Sequence, residues 1–188
     1  MRSILRSTLI AAVMFAAPAV AQQAEEDLSL GEPVGPQLGE PYVAETFGDW
    51  ALRCIKAEEG QDEQCSLYQL LMNAEGRAVA EFNIFKLPEG NRAAAGANVV
   101  VPLETLLTQQ LTITVDGSNA RRYPFTFCNR AGCVARVGFT AEEIEQFKRG
   151  SVATVRVVPA AAPDEEFVLE ASLSGFTAAF EAASVVVE

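Results

Sequence analysis

Four cysteines, Cys54, Cys65, Cys128 and Cys133, are the residues of this 188-residue chain best equipped for chemistry, and they stand in a sequence without a single histidine. A thiolate can bind zinc, attack an electrophile or exchange with a disulfide, and in an oxidising compartment an even set of thiols closes into disulfides. Neither local spacing is Cys-x-x-Cys, and neither offers the short knuckles of a four-thiolate zinc site, so two disulfides are expected. Four cysteines permit three pairings, and sequence alone does not choose among them. The expectation is local pairing: Cys54 to Cys65, around a link holding Glu58, Glu59, Asp62 and Glu63, and Cys128 to Cys133, around Asn129-Arg130-Ala131-Gly132. Gly132 can take the positive φ that a tight turn demands.

The missing histidine closes Ser-His-Asp, Cys-His and His-metal mechanisms. Lys56, Lys86 and Lys148 are the only lysines, and none sits in an S-x-x-K arrangement. With 25 acidic residues, paired carboxylates remain the one hydrolytic route to consider. A non-enzymatic protein without a cofactor is expected. The candidate partner-binding residues are Arg121, Arg122, Arg130 and Arg136, interleaved with Tyr123, Phe125 and Phe127. Guanidinium groups gathered on a hairpin clamp carboxylates or sulfated sugars in bidentate fashion. The competing reading is a solvated edge with one aromatic face in the core.

The elements that must position these residues read as an all-β sandwich or barrel. Apolar alternation predicts strands over Phe47–Lys56, Cys65–Met72, Arg77–Leu87, Leu111–Val115, Ala120–Phe127, Cys133–Gly138, Ser151–Val158 and Glu166–Leu173, with a weaker one over Asn98–Val101. Trp50, Leu52 and Cys54 share one face of the first, and Trp50 is expected in the core. Two short helices interrupt the strands. Thr140-Ala141-Glu142-Glu143 is a capping box, with Lys148 and Arg149 in the last turn and Gly150 as a left-handed stop. Phe176, Ala179, Phe180 and Ala183 carry helical spacing.

Residues 1–21 read as a signal peptide: Arg2 and Arg6, then an apolar run, then Ala19-Val20-Ala21 before a cut at Gln22. The run is shorter than the roughly 20 residues of a membrane span, and no membrane span is expected in the mature form. Residues 22–46 combine acids with Pro33, Pro36 and Pro41 and read as an acidic disordered tether. Residues 47–188 form the third segment, a single β-domain. Fourteen basic residues against 25 acidic ones give a net charge of −11, which argues against nucleic acid as a partner.

Separated motifs then coincide: Phe47-Gly48-Asp49-Trp50 with Arg53-Cys54, Pro124-Phe125-x-x-Cys128, Gly132-Cys133-x-Ala135, and Ser172-Leu173-x-Gly175-Phe176. Together they resemble the invasion-associated locus B family of exported proteins of Gram-negative bacteria. The resemblance implies an immunoglobulin-like β-sandwich stapled by paired cysteines, and supplies no catalytic residue. It further implies a periplasmic or secreted binding or envelope-associated protein, with host-cell attachment or invasion as its role and a protein or cell-surface component as its partner. The alternatives are a periplasmic housekeeping factor without host contact and a carboxylate-based hydrolase.

Overall fold

The computed structural model describes residues 31–186 apart from residues 33 and 74; the expected leader and the first part of the expected tether, residues 22–30, lie outside the described residues. The fold is that of the unit beginning at Pro36.

Among the described residues, eleven antiparallel strands make one sheet that curls until it is nearly closed. They are β1 (Pro41–Phe47), β2 (Trp50–Ile55), β3 (Gln64–Met72), β4 (Ala78–Lys86), β5 (Ala95–Val101), β6 (Leu111–Val115), β7 (Ser118–Tyr123), β8 (Phe125–Asn129), β9 (Gly132–Phe139), β10 (Val152–Val157) and β11 (Phe167–Ser172). Helices α1 (Ala141–Arg149) and α2 (Phe176–Ala182) follow β9 and β11. The main path runs β7-β6-β10-β11-β3-β4-β5-β9-β8, while β2 pairs with β3 and β1 pairs with β2. Its two end strands, β7 and β8, are consecutive in the chain, separated by Pro124 alone. Proline lacks the N–H a ladder needs and breaks what alternation reads as one strand over Ala120–Phe127.

The inner face holds one core. Trp50, Phe82, Phe139 and Phe176 are fully buried, with Leu67, Leu71, Ile84, Leu111, Val155 and Leu169 around them. Phe147 of α1 lies 4.9 Å from the ring of Phe139 and 5.3 Å from that of Phe176, so both helices close the same interior. The alternation in β2 places Trp50, Leu52 and Cys54 inside.

Several expectations are revised. The tether reading extended to Thr46, yet Pro41–Phe47 is a strand in register with β2, from Pro41 opposite Ile55 to Phe47 opposite Trp50. Glu40, Pro41 and Glu45 mask Tyr42, Val43 and Thr46, whose branched and aromatic side chains suit a strand once β2 is beside it. The Phe47–Lys56 run is accordingly split by a turn at Gly48-Asp49. The weak strand at Asn98–Val101 is the seven-residue β5, between β4 and β9. Its small residues, Ala95, Gly96 and Ala97, have poor intrinsic strand preference and are held by partners on both sides. Gly150 is not a left-handed stop: its φ is −76°. A side chain there would meet Val115 Cγ1 at 2.5 Å and Leu173 Cδ1 at 2.9 Å, so the glycine is needed for space. The capping box is present as expected, Glu143 N–H donating to Thr140 Oγ1 and Thr140 N–H to Glu143 Oε2.

Candidate binding surface

The cysteines pair locally, Cys54 with Cys65 and Cys128 with Cys133, and each bond joins residues directly opposite in an antiparallel ladder. Cys54 and Cys133 lie in the core, whereas Cys128 is exposed on β8. Beside the first bond, Lys56 Nζ donates to Glu63 Oε1 at 2.8 Å and Tyr42 O–H donates to Glu63 Oε2. Those two donors hold the Glu63 carboxyl below its ordinary range, the ammonium first, and they fasten β1 across the link that Cys54–Cys65 closes.

The separated sequence motifs meet in pairs. Asp49 N–H donates to Ser174 O at 3.1 Å, Trp50 Nε1–H to Ser172 O at 2.8 Å, and the Trp50 ring meets Phe176 edge-on at 5.4 Å. Buried Gln69 completes the seam by donating from Nε2 to both Asp49 O and Ser172 O at 3.0 Å. A Cβ on Gly175 would overlap the backbone of Phe47, and one on Gly48 would come within 2.6 Å of Ser174 O. Both glycines also have positive φ, +83° and +56°. On the other side of the sheet, Phe125 stands opposite Ala135 and Cys128 opposite Cys133. Each of the residues just named is engaged in packing, register or covalent closure.

The four arginines are not brought onto one cross-strand row. Arg121 and Arg122 sit on β7, opposite Ile113 and Thr112 of β6; Arg136 sits on β9, opposite Asn98, and Arg130 in the β8–β9 turn. Among the described residues no ladder joins β7 to β8 or β9. Arg121 and Arg122 point to opposite faces of their strand.

Arg121 faces α1. Its Nε–H donates to Glu143 Oε1, a carboxylate only 10% exposed. The other oxygen, Oε2, accepts from Thr140 N–H at 2.8 Å and from Thr140 Oγ1–H at 2.9 Å. Tyr123 O–H reaches Oε1 at 3.5 Å, and burial, helped by the Glu143 charge, pushes the phenol up to about 12. Sequence reasoning identified Glu143 only as a capping residue; its second partner lies twenty-two positions upstream on a different element, and nothing local signals it.

Around that ion pair runs a polar groove between β7 and α1. Asn119, Ala120 and Arg121 line the strand side, with Glu142, Glu143 and Gln146 on the helix side. It continues past Ser118 to Arg149. At the far end the Tyr123 ring meets Phe139 of β9 at 6.2 Å and closes the gap. Among the described residues no cluster of three or more acidic or cysteine side chains is arranged to hold a metal ion, and no helix is long and apolar enough to cross a membrane.

With this geometry in place, comparison with known proteins is informative. Invasion protein B homologues of Brucella abortus, from strain 2308 and from biovar 1 strain 9-941, are each 25% identical over 148 residues, spanning 76% of this chain and 80% of theirs. A crystal structure of invasion associated protein b from Bartonella henselae matches with a TM-score of 0.61 at 22% identity, over 73% of this chain and 92% of that one, a likeness of fold. The family model for Invasion associated locus B (IalB) protein spans residues 50–184, from the tryptophan of the seam to the serine that follows α2, and the chain belongs to that family.

Proposed function

We propose that this chain is an exported, non-enzymatic binding protein of the invasion-associated locus B type, released from its leader after Ala21, that aids attachment to or invasion of host cells. The observation that carries the reading is the closure of all four cysteines into two cross-strand disulfides in a member of a family whose relatives are named invasion proteins. Disulfides persist in oxidising compartments, the envelope and the exterior. Binding is favoured over hydrolysis by the state of the groove carboxylates. Glu143 is already occupied by Arg121 and Thr140, and Glu142, its neighbour in the helix, points about 100° away around the axis. A pair that flanks a scissile bond needs two carboxylates facing each other.

The test is protease accessibility of the protein on intact cells, compared with its release by osmotic shock and its recovery from the medium, with the mature N-terminus read by mass spectrometry. Digestion on intact cells, or abundance in the medium, with a chain beginning at Gln22 is expected. Protection until the outer membrane is opened would reject host contact and leave a periplasmic envelope role.

A further inference from the structure

We infer that the cleft where β3 changes partner from β2 to β11 captures an arginine side chain of a partner protein, with an apolar neighbour of that arginine resting on the strand face beside it. The inference rests on reading the chain as a binding protein, but not on where the cell places it.

The sheet forks at this point. β2 is laddered to β3 from Gln64 to Tyr68, and β11 meets β3 only at Met72, opposite Glu170. β2 begins at Trp50 and β11 ends at Ser172, so between Tyr68 and Met72 neither ladder continues along β3. Gln69 stops the gap from within, its Nε2 donating to Asp49 O and Ser172 O. Outside it lies a cleft of about 450 Å³, lined by Asp49, Gln69, Leu70, Met72, Glu170 and Ser172. No basic side chain lines it.

Three observations select a guanidinium group. First, the acidic acceptors are uncommitted. Among the described residues neither the Asp49 nor the Glu170 carboxylate has an ion pair, and Asp49 enters the seam through its backbone. Arg53, on the neighbouring β2, is held over the Tyr68 ring at 4.2 Å, and Arg156, opposite Val168, forms no ion pair. Second, Gln69 is only 7% exposed, and with Nε2 donating twice its Oε1 has no partner. Turning the amide over would set that oxygen against two carbonyls, so the orientation is fixed. Thr114 Oγ1 is the one buried side-chain oxygen among the described residues that is both sealed and unpartnered, so Gln69 Oε1 keeps an opening, and the cleft is the opening that Gln69 lines. A nearly buried acceptor without a donor is costly, and a donor entering the cleft satisfies it.

Third, the oxygens stand beside apolar surface. Leu70 and Met72 are 42% and 48% exposed on the outer face of β3, and Val168, also 48% exposed, is two positions from Glu170 on β11. Arginine brings a planar fork of donors for carboxylate and amide oxygens and an apolar stem for the Leu70 and Met72 side chains. A calcium ion instead takes about six to eight converging oxygens. Both carboxylates are exposed, without the apolar enclosure of one member that an acid–base pair requires, so the cleft is built to bind and not to hydrolyse.

The test titrates the isotope-labelled full mature chain, disulfides intact, with the blocked peptide acetyl-Leu-Arg-Leu-amide. Shifts should map to Asp49, the Gln69 side-chain amide, Leu70 to Met72 and Glu170 to Ser172. The same peptide with citrulline for arginine, alike in shape and uncharged, should bind about fivefold more weakly. Glu170→Gln should weaken the arginine peptide about threefold and Met72→Ser about twofold, with Trp50 fluorescence confirming an unchanged fold. The inference is overturned by no shifts at millimolar peptide, by shifts that map elsewhere, by an equal response to the citrulline or lysine peptide, or by unaltered affinity in Glu170→Gln. It is equally overturned if millimolar calcium alone produces the same shifts, which would make the cleft a metal site, or if raising the protein concentration without peptide does so, which would make the occupant a second copy. None of these outcomes bears on protease accessibility at the cell surface, so the two readings fail separately.

Discussion

Replacing Gly175 with alanine tests whether the meeting of the two motif segments is a steric requirement. Gly175 and Gly90 both have positive φ, +83° and +90°, so alanine at either incurs a left-handed penalty of about 1–2 kcal/mol. Their surroundings differ. A Cβ at Gly90 has nothing within 4 Å, whereas at Gly175 it overlaps the Phe47 carbonyl and comes within 2.8 Å of Gly48 N. Backbone atoms cannot rotate aside, so the α2 start must move away from the β1–β2 turn. That movement loosens the Asp49 N–H bond to Ser174 O, worth about 1 kcal/mol. It also loosens the Trp50–Phe176 contact, worth about 0.5–1.5 kcal/mol beyond its buried area. Gly175→Ala should therefore cost about 2.5–4.5 kcal/mol, against about 1–2 kcal/mol for Gly90→Ala. Equilibrium urea unfolding followed by the fluorescence of Trp50, the sole tryptophan, reads both variants with disulfides intact. At typical urea slopes the midpoint of Gly175→Ala should fall roughly 1–2 M below that of Gly90→Ala. Equal midpoints would refute the close-approach argument and reduce Gly175 to an ordinary left-handed turn.

Removing Cys54–Cys65 by paired alanine substitution should cost about 3 kcal/mol and removing Cys128–Cys133 about 2 kcal/mol, since the sequence separations they close are 11 and 5 residues; thermal unfolding of the two double variants should preserve that order. Glu143→Gln should destabilise by about 1–2 kcal/mol through the weakened cap and the lost Arg121 pair, and should raise hydrogen exchange in the first turn of α1. Tyr123 is held neutral in the fold to about 12 against an ordinary value of 10, so its stabilisation is complete below pH 10 and disappears as pH rises through 12. Two pH units correspond to about 2.7 kcal/mol, and screening at this half-buried site reduces that to roughly 1 kcal/mol, readable as a steeper alkaline loss than in Tyr123→Phe. Glu63, lowered by Lys56 and Tyr42, works in the opposite range: its contribution is present above the ordinary carboxyl value and is lost as pH falls through the depressed one, so β1 amides should lose exchange protection in acid before those of β4 do.

What was legible in the sequence was the part governed by short-range pattern. Alternation in Trp50-Ala51-Leu52-Arg53-Cys54 identified the inward face of β2, the Thr140–Glu143 spacing identified the cap of α1, and Phe176, Ala179 and Ala183 identified the packing face of α2. What was missed depended on partners far away in the chain. β5 holds small residues that become a strand only because β4 and β9 flank them. β1 carries a loop-like composition that the β2 ladder overrides. Gly150 reads as a cap until Val115 and Leu173 are seen beside it. The groove is the extreme case: it exists because β9 takes β5 and β8 as neighbours and leaves β7 without a second one, a choice no local pattern encodes.

The residues that make the family resemblance and the residues that line the groove are different sets, and the physics explains why. Gly48, Gly175 and Trp50 hold two chain segments at backbone contact, and Cys128 and Cys133 lock one hairpin; each must be what it is for the sheet to curl and seal. Glu142 and Gln146 meet no such demand, because α1 needs only Glu143, Ile144 and Phe147 turned inward. A surface freed from packing in this way can change its partner without risk to the fold, and loop-bordered edges on a rigid scaffold are where binding concentrates. Membership in the family therefore speaks to the seam and the staples, whose residues the packing commits, and not to the side chains that the packing leaves uncommitted.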